Sequence, residues 1–400
     1  MNPIPYGKQW ITSEDIDAVV SVLKSDYLTQ GPKIKEFEEA FASYIGVKFA
    51  VAVANGTAAL HLSTLALNVQ PGDKVITTPI TFAASSNCVR YCGGEVVFAD
   101  IDPQTFLLDS DKVRKLLNQS PRGTYKGIIL VDFAGKAVDL EIFRKLANEF
   151  GLWIIEDACH APGGFFTDSM DKIQKCGNGN FADLAIFSFH PVKHIATGEG
   201  GMITTNNKTL YDKLMMLRTH GITRDQDFFQ NDIAFASASN SSSVDYPGWY
   251  MEMQTLGYNY RITDFQAALG ISQLKRADTG LERRLAIAKK YDEAFKNHKS
   301  IRSQLNELKE KPSGHAYHLY VIEATDRLGL YNYLKKKNIY SQVHYVPTHL
   351  MPYYKSMGWK EGDMLNAESY YQGCLSLPMY PSLSVGQQEY VIKSILDYYQ

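Results

Sequence analysis

One stretch of the chain gathers residue types that rarely sit together without a chemical reason. From Ile186 to Gly201 it reads Ile-Phe-Ser-Phe-His-Pro-Val-Lys-His-Ile-Ala-Thr-Gly-Glu-Gly-Gly, an apolar run that meets Ser188, His190 and Lys193 and then turns through glycines. A lysine held against apolar surroundings loses solvation, so its pKa falls and its amine becomes a better nucleophile toward an aldehyde. Gly198, Gly200 and Gly201 let backbone pass close to a ligand. Taken alone, the stretch also reads as a surface loop with an exposed lysine.

A second stretch is Leu152-Trp-Ile-Ile-Glu-Asp157-Ala-Cys-His160-Ala, an apolar strand ending in adjacent carboxylates. Neighbours on a strand point opposite ways, so one acid faces a ligand while the other faces structure. A cofactor with a pyridine ring needs an anion beside its ring nitrogen to act as an electron sink. Asp157 fits that role; a helix-capping aspartate after a strand is the plainer reading. A third stretch, Ala54-Asn55-Gly56-Thr57-Ala58-Ala59-Leu60, sits where a strand passes into a helix. A helix N-terminus offers free N–H groups and a positive dipole end, which bind phosphate; a tight turn with a Thr cap explains it equally well. Phe82 opens a helix after an apolar strand, where it stacks on a planar ring or belongs to the core.

The elements that must position these residues alternate. Strands are expected at Phe49–Ala54, Lys74–Ile80, Glu95–Ile101, Gly127–Ala134, Leu152–Asp157, Ala185–Phe189 and Met202–Thr205. Helices are expected at 12–25, through Phe37–Ile45, at Thr57–Asn68, near 82–92, at Leu140–Phe150, Leu210–Arg218, Phe265–Leu274 and Leu281–Phe295. In the first, Ile16, Val19, Val20 and Leu23 share a face and acidic residues suit the positive end. Asp26–Pro32 must be a loop. Alternation of this kind implies an α/β fold with a mostly parallel sheet covered on both faces, and ligands then sit at the carboxyl ends of the strands. All three chemical stretches fall there. The chain divides into an N-terminal arm (1–14), a large domain (15–265) and a smaller α+β domain (266–400), with Ser-rich residues 237–243 as an exposed loop.

Composition excludes several classes. The chain has 400 residues, with 41 Lys plus Arg against 43 Asp plus Glu, a formal charge of −2. That balance speaks against nucleic acid or an anionic membrane as the main partner. No apolar run reaches the roughly 18 residues of a bilayer span. The N-terminus lacks a basic start with an apolar run, so a cytoplasmic protein is expected. The five cysteines are scattered and odd in number, which argues against a disulfide framework. Cys88 and Cys92 read as small buried thiols rather than a metal site.

The motifs Asn-Gly-Thr-Ala-Ala-Leu, Thr-Pro-Ile-Thr-Phe, Glu-Asp-Ala-Cys-His-Ala, Phe-Ser-Phe-His-Pro-Val-Lys and Gly257-Tyr-Asn-Tyr-Arg-Ile-Thr-Asp-Phe-Gln-Ala-Ala-Leu-Gly270 occur in that order along nearly the whole chain. Together they resemble the DegT/DnrJ/EryC1/StrS sugar aminotransferases, pyridoxal-phosphate (PLP) enzymes of fold type I. Within that family the resemblance is to the enzymes of pseudaminic acid synthesis, supported by Leu28-Thr-Gln-Gly-Pro32, Val131-Asp-Phe-Ala-Gly135 and Ser341-Gln-Val-His-Tyr-Val-Pro347. It implies that Lys193 is the Schiff-base lysine and moves the proton, that Asp157 pairs with the pyridinium, and that Phe82 stacks on the ring. It implies phosphate contacts from Gly56, Thr57, Ala58 and Ser188, with His160 near the ring hydroxyl. Asn259 reaches the phosphate from a second subunit, so the active site belongs to a homodimer. Tyr6, Asp26, Tyr27, Leu28, Thr29, Gln342, Val343, His344 and Tyr345 line a nucleotide-sugar groove. The implied reaction passes through pyridoxamine phosphate and carries an amino group from glutamate, leaving 2-oxoglutarate, to C4 of a UDP-linked 4-keto-6-deoxy sugar. Asn55 stands where the family often has Ser or Asn-Ser, which leaves the identity of the phosphate donors there open. A PLP-dependent sugar dehydratase is the rival on this fold, but there a histidine replaces the lysine, and here His194 follows an intact Lys193. A non-catalytic regulatory protein is the rival of another class; such proteins lose the lysine or the ring-nitrogen anion, and both are present.

Overall fold

Seven strands, numbered along the chain, form the central sheet of the computed structural model: β1 Phe49–Val53, β2 Lys74–Thr77, β3 Glu95–Phe98, β4 Tyr125–Val131, β5 Trp153–Asp157, β6 Leu184–Ser188 and β7 Gly201–Thr205. Their order is β1-β7-β6-β5-β4-β2-β3. The pairs β2/β3, β2/β4, β4/β5 and β5/β6 are parallel, while β7 runs antiparallel to both β6 and β1. Six strands therefore point one way and β7 alone is reversed, the mostly parallel mixed sheet of an α/β fold. The reversal has a local cause. Parallel neighbours need a crossover helix, and residues 189–200 form none, so the chain returns beside β6 in the opposite sense. The structure describes residues 2–238, 245–304 and 313–400. Of the Ser-rich run, Ser237 ends a short helix, Ile233–Ser237, and 239–243 lie outside the described residues.

Helices cover both faces. They include α1 Ser13–Leu23, α2 Pro32–Ile45, α3 Gly56–Ala66 and α4 Ala84–Tyr91. Phe37 and Phe41 of α2 pack on the sheet through rings, Phe41 against Phe187 at 4.9 Å and Phe37 against Phe189 at 5.2 Å. The helix Asp264–Leu274 lies against both α1 and α2. It comes close because Gly270 has no side chain: a Cβ there would sit 2.5 Å from the Phe37 ring. Asp264 also accepts the N–H groups of Gly31 (2.7 Å) and Lys33 (3.0 Å), capping α2 from a distant part of the chain. The expected boundary at 265/266 runs through this helix.

Several expected elements shift. Pro32 begins α2 instead of closing the loop, since its fixed φ and missing N–H suit a first helical position. β2 stops at Thr77, short of Ile80, as the chain meets Pro79. β3 ends at Phe98. β4 starts at Tyr125 and ends at Val131; Ala134 instead lies in a short 3₁₀ turn with φ of 62°. The largest departure is α1. Its buried residues are Asp15 and Val22, and the stripe expected to face the core is bare, with Ile16 and Leu23 each 56% exposed. Asp15, one of the acids suited to the positive end of this helix, is fully buried and pairs with Arg276 and Gln273.

A second, smaller core surrounds an antiparallel sheet of Ile301–Ser303, Tyr320–Ala324 and Cys374–Leu377. Tyr291, Phe295, Ile322, Leu375, Leu377, Val391 and Ile395 fill it. The N-terminal arm reaches this unit: Ile4–Pro5 pairs in parallel with Ile339–Tyr340, and Ile4 is fully buried. All five cysteines are free; Cys88 is buried as expected and Cys92 half-buried. Among the described residues no helix is long and apolar enough to cross a membrane.

One buried ion pair ties β1 to the helices beside it. Arg218 donates to Glu38 at 2.5 Å and to the Ala52 carbonyl at 2.8 Å, and Glu38 accepts the Ala52 N–H at 2.8 Å. Removing the acid leaves an uncompensated cation in the core. Glu38→Ala is expected to lower unfolding free energy by about 3–5 kcal/mol, read from urea denaturation.

Candidate active site

The carboxyl ends of β1, β5 and β6 converge on a pocket of about 430 Å³, within the range of small-ligand sites. β1 leads through Asn55 into α3. Asn55, not Thr57, is the N-cap: its Oδ1 accepts the Ala58 N–H at 2.8 Å. The first N–H groups of a helix have no intrahelical acceptor, and with Ala58 taken, Gly56 and Thr57 stand at the pocket wall. Two glycines make this corner close. A Cβ on Gly56 would meet Ser188 at 3.0 Å, and one on Gly201 would lie 2.6 Å from the Asn55 carbonyl. Ser188, Gly56 and Thr57 thus line one corner of the pocket, at the positive end of a helix dipole.

Asp157 ends β5 and is 6% exposed. Ser85 donates to its Oδ2 at 2.7 Å and the Cys159 N–H to its Oδ1 at 3.2 Å, while Thr81 Oγ1 lies 2.7 Å from Ser85 Oγ. The carboxylate is held by donors and faces the pocket. Phe82 lies on the pocket wall with its ring bare: it is 62% exposed, against the core reading of such a residue.

Lys193 is partly buried, with Nζ 3.5 Å from His318 Nε2. Burial pushes its pKa down and the Arg284 charge adds to this, while Cys159 and Asp157 partly oppose it. Imidazoles crowd the amine. The His160 and His318 rings are 4.3 Å apart, and His194 Nε2 bonds the Ala316 carbonyl at 2.8 Å. Burial, then the Lys193 charge, holds His160 and His318 well below the ordinary histidine value, and holds His344 down to about 3. These rings are neutral at pH 7. His160 Nδ1 accepts the Ala134 N–H at 3.2 Å, so in the neutral ring Nε2 carries the hydrogen, facing Tyr345 OH at 3.4 Å.

Of the residues singled out in the sequence, Tyr6, Gly56, Thr57, Phe82, Asp157, His160, Ser188, Lys193, His344 and Tyr345 line this one pocket. Tyr6 arrives with the N-terminal arm, its carbonyl accepting the Met379 N–H at 2.9 Å. Others lie elsewhere. Ala58 is buried inside the α3 turn with its N–H already used. Asp26, Tyr27, Leu28 and Thr29 are exposed, tied to the start of the helix Asp264–Leu274 by Leu28 accepting the Asp264 N–H at 2.9 Å. Gln342 pairs with Ser376 through backbone, and Val343 packs between the two cores. Asn259 is exposed and bridges Thr219. The sequence reading passed over Ser85, Thr81 and His318. Thr81 stood inside the quoted Thr-Pro-Ile-Thr-Phe motif, whereas His318 enters only by tertiary packing.

A sheet of this topology, with a lysine and an anchored aspartate at its strand ends, is the architecture of the fold-type-I PLP-dependent transferases. A family model described as the DegT/DnrJ/EryC1/StrS aminotransferase family matches residues 9–396, and the chain belongs to that family; it is a transaminase. It is 37% identical to the spore coat polysaccharide biosynthesis protein SpsC of Bacillus subtilis, over 98% of this chain and 96% of the other. It is 36% identical to the UDP-4-amino-4,6-dideoxy-N-acetyl-beta-L-altrosamine transaminase of Campylobacter jejuni, over 97% and 95%. The PLP form of the sugar aminotransferase Spr1654 from Streptococcus pneumoniae superimposes with a TM-score of 0.85 at 28% identity, covering 99% of this chain and 98% of that one.

Because burial depresses the Lys193 amine, it loses its proton at lower pH than exposed lysines do. Competitive acylation across a pH series, read by peptide mass spectrometry, is expected to place its midpoint below that of the surface lysines.

Proposed function

We propose that the chain transfers the amino group of L-glutamate to C4 of a UDP-linked 4-keto-6-deoxy-N-acetylhexosamine, in the synthesis of pseudaminic acid or a related surface sugar, using PLP. One observation supports this most: a desolvated Lys193 shares a pocket with an Asp157 held by Ser85, under the bare ring of Phe82 and beside the open start of α3. That set matches the four demands of the cofactor, which are an amine for its aldehyde, an anion for its ring nitrogen, a face for its ring and N–H donors for its phosphate. Bound PLP supplies an electron sink that stabilises negative charge at the donor's Cα.

The rest is work for this chain's own groups. Lys193 Nζ would carry the cofactor covalently until the donor amine displaces it. Freed, the amine takes the proton from the donor's Cα and later delivers one to the sugar carbon, a two-way role that a lowered pKa serves. Asp157 keeps a proton on the ring nitrogen. Gly56 and Thr57 N–H groups with Ser188 Oγ hold the phosphate; Ala58 can contribute there only by releasing Asn55. His160 offers its Nε2–H toward the ring hydroxyl. Tyr6, His344 and Tyr345 stand where the sugar would approach, and Asp26–Thr29 with Gln342–Val343 would extend the groove for the nucleotide. In this reading residues 15–265 hold the cofactor, and 266–400 with the arm 1–14 close over it.

The same reading includes a homodimer, with Asn259 of a second copy reaching the phosphate. The bare stripe of Ile11, Ile16, Val20 and Leu23 on and before α1 supports an apolar partner surface, as do Trp249, Met251, Met253 and Leu256 near Asn259. The two relatives bear on the sugar: the Campylobacter enzyme is named for an altrosamine derivative and SpsC for a spore coat polysaccharide, and both fit a surface-sugar product. A cytoplasmic location goes with a nucleotide-sugar substrate.

Purified protein mixed with PLP is expected to show a visible absorbance band that fades on addition of glutamate. Lys193→Ala should lower turnover by about 10²–10⁴-fold while its thermal melt is retained. Near-normal transamination by that variant would remove the proposal, and a band indifferent to glutamate would remove the donor assignment.

A further inference from the structure

On the far side of β5 from the pocket, two acids meet in the core. Asp132, one residue past β4, is fully buried, and Glu156, the neighbour of Asp157 in β5, is 1% exposed. Adjacent strand residues face opposite ways, so Glu156 points away from the pocket into which Asp157 points. One oxygen of each acid is satisfied: Asp132 Oδ1 accepts the Val138 N–H at 2.8 Å, and Glu156 Oε2 accepts the Gly177 N–H at 2.9 Å. The Gly177 approach depends on glycine, since a Cβ there would lie 2.3 Å from the Phe187 ring. The remaining oxygens, Asp132 Oδ2 and Glu156 Oε1, meet no fixed donor. Carboxyl oxygens of the pair and Cys176 Sγ lie within 4.8 Å of one another. Among the described residues neither acid forms an ion pair. A hydrogen bond between two carboxyls requires a proton on one of them.

We propose that Asp132 and Glu156 share one proton across the ends of β4 and β5, and that this bond is a positioning device for Asp157. It closes a bracket around the functional carboxylate. Asp132 N–H donates to the Asp157 carbonyl at 3.1 Å, Glu156 anchors the preceding residue to the loop at Gly177, and Ser85 holds the Asp157 side chain from the pocket side. With the proton in place the pair puts one negative charge beneath Asp157 rather than two. The titratable groups facing the pair are Asp157 and the Cys176 and Cys159 thiols, which burial pushes up and so keeps protonated. A protonated thiol is also a poor ligand for a metal ion, which favours a proton as the occupant of this cluster.

Burial raises Asp132 to about 7, and burial plus the charge of Asp132 raises Glu156 well above its usual range. Unfolded carboxyls titrate near ~4. The shared proton therefore stabilises the fold fully at acid pH, and its contribution falls away as pH rises toward and through about 7. Glu156→Gln carries permanent N–H donors and accepts the Gly177 N–H with its carbonyl, so it should not lose stability from this source.

The test uses the full chain. Thermal melts without added PLP, from pH 5 to pH 8, should show the gap between Glu156→Gln and wild type widening in the variant's favour by about 2–3 °C. A gap that stays constant, or a variant that melts lower throughout, overturns the shared proton, as does one equivalent of metal per chain that the variant lacks. For positioning, Glu156→Ala should weaken PLP binding by about 10-fold, and Glu156→Gln should restore it. Equal loss in both variants overturns that role. The link to cofactor binding rests on the proposed function. If wild type itself shows no PLP band, that proposal fails while the melting curves still decide the proton.

Discussion

An amine stays reactive near neutral pH only where water is kept from stabilising its charged form, and the site is organised around that constraint. Lys193 is wedged among imidazoles that are themselves too buried to ionise, so the pocket holds polar atoms without adding positive charge that would attract counter-ions and solvent. The charge that does press on the lysine comes from Arg284, which is buried and donates through Nη1 to the carbonyls of Tyr317 and His318 at 3.0 and 3.2 Å and of Met379 at 3.0 Å. One cation thus fixes the segment that carries His318 and also disfavours a proton on Lys193.

Sheet geometry makes this burial possible. Six strands that run the same way deliver their carboxyl ends to one edge, where Gly56 and Thr57 follow β1, Asp157 ends β5, and Ser188 and Lys193 come from β6. The reversed β7 closes that edge: its first residue, Gly201, pairs with both Ser188 and Val53 and draws the start of α3 against the end of β6. A Cβ there would press on the Asn55 carbonyl and the Gly56 nitrogen, so only glycine lets the two segments come this close. The small antiparallel sheet and the N-terminal arm then cover the opening with His318, His344, Tyr345 and Tyr6.

Much of this was legible in the sequence, for reasons that also mark the limits. Lys193 and Asp157 follow apolar strands, so local pattern alone puts them at strand ends, and the helix Leu140–Phe150 is found where periodicity places it. What failed depended on distant chain. His318 is 125 residues from Lys193 and no local pattern links them. The stripe on α1 obeyed the rule for a buried face, yet the chain's own core does not cover it. Asp15 was legible only as an acid suited to a helix start; its partner Arg276 lies 261 residues along the chain. The strand Ile4–Pro5 is two residues long and exists only because Ile339–Tyr340 lies beside it.

The central claim is that Lys193 is the residue to which the cofactor attaches. The direct measurement is borohydride reduction of the protein equilibrated with PLP, followed by proteolysis and mass spectrometry. The account predicts one phosphopyridoxyl group per chain, on the peptide containing Lys193. A label spread over surface lysines, or absent from that peptide, would contradict it.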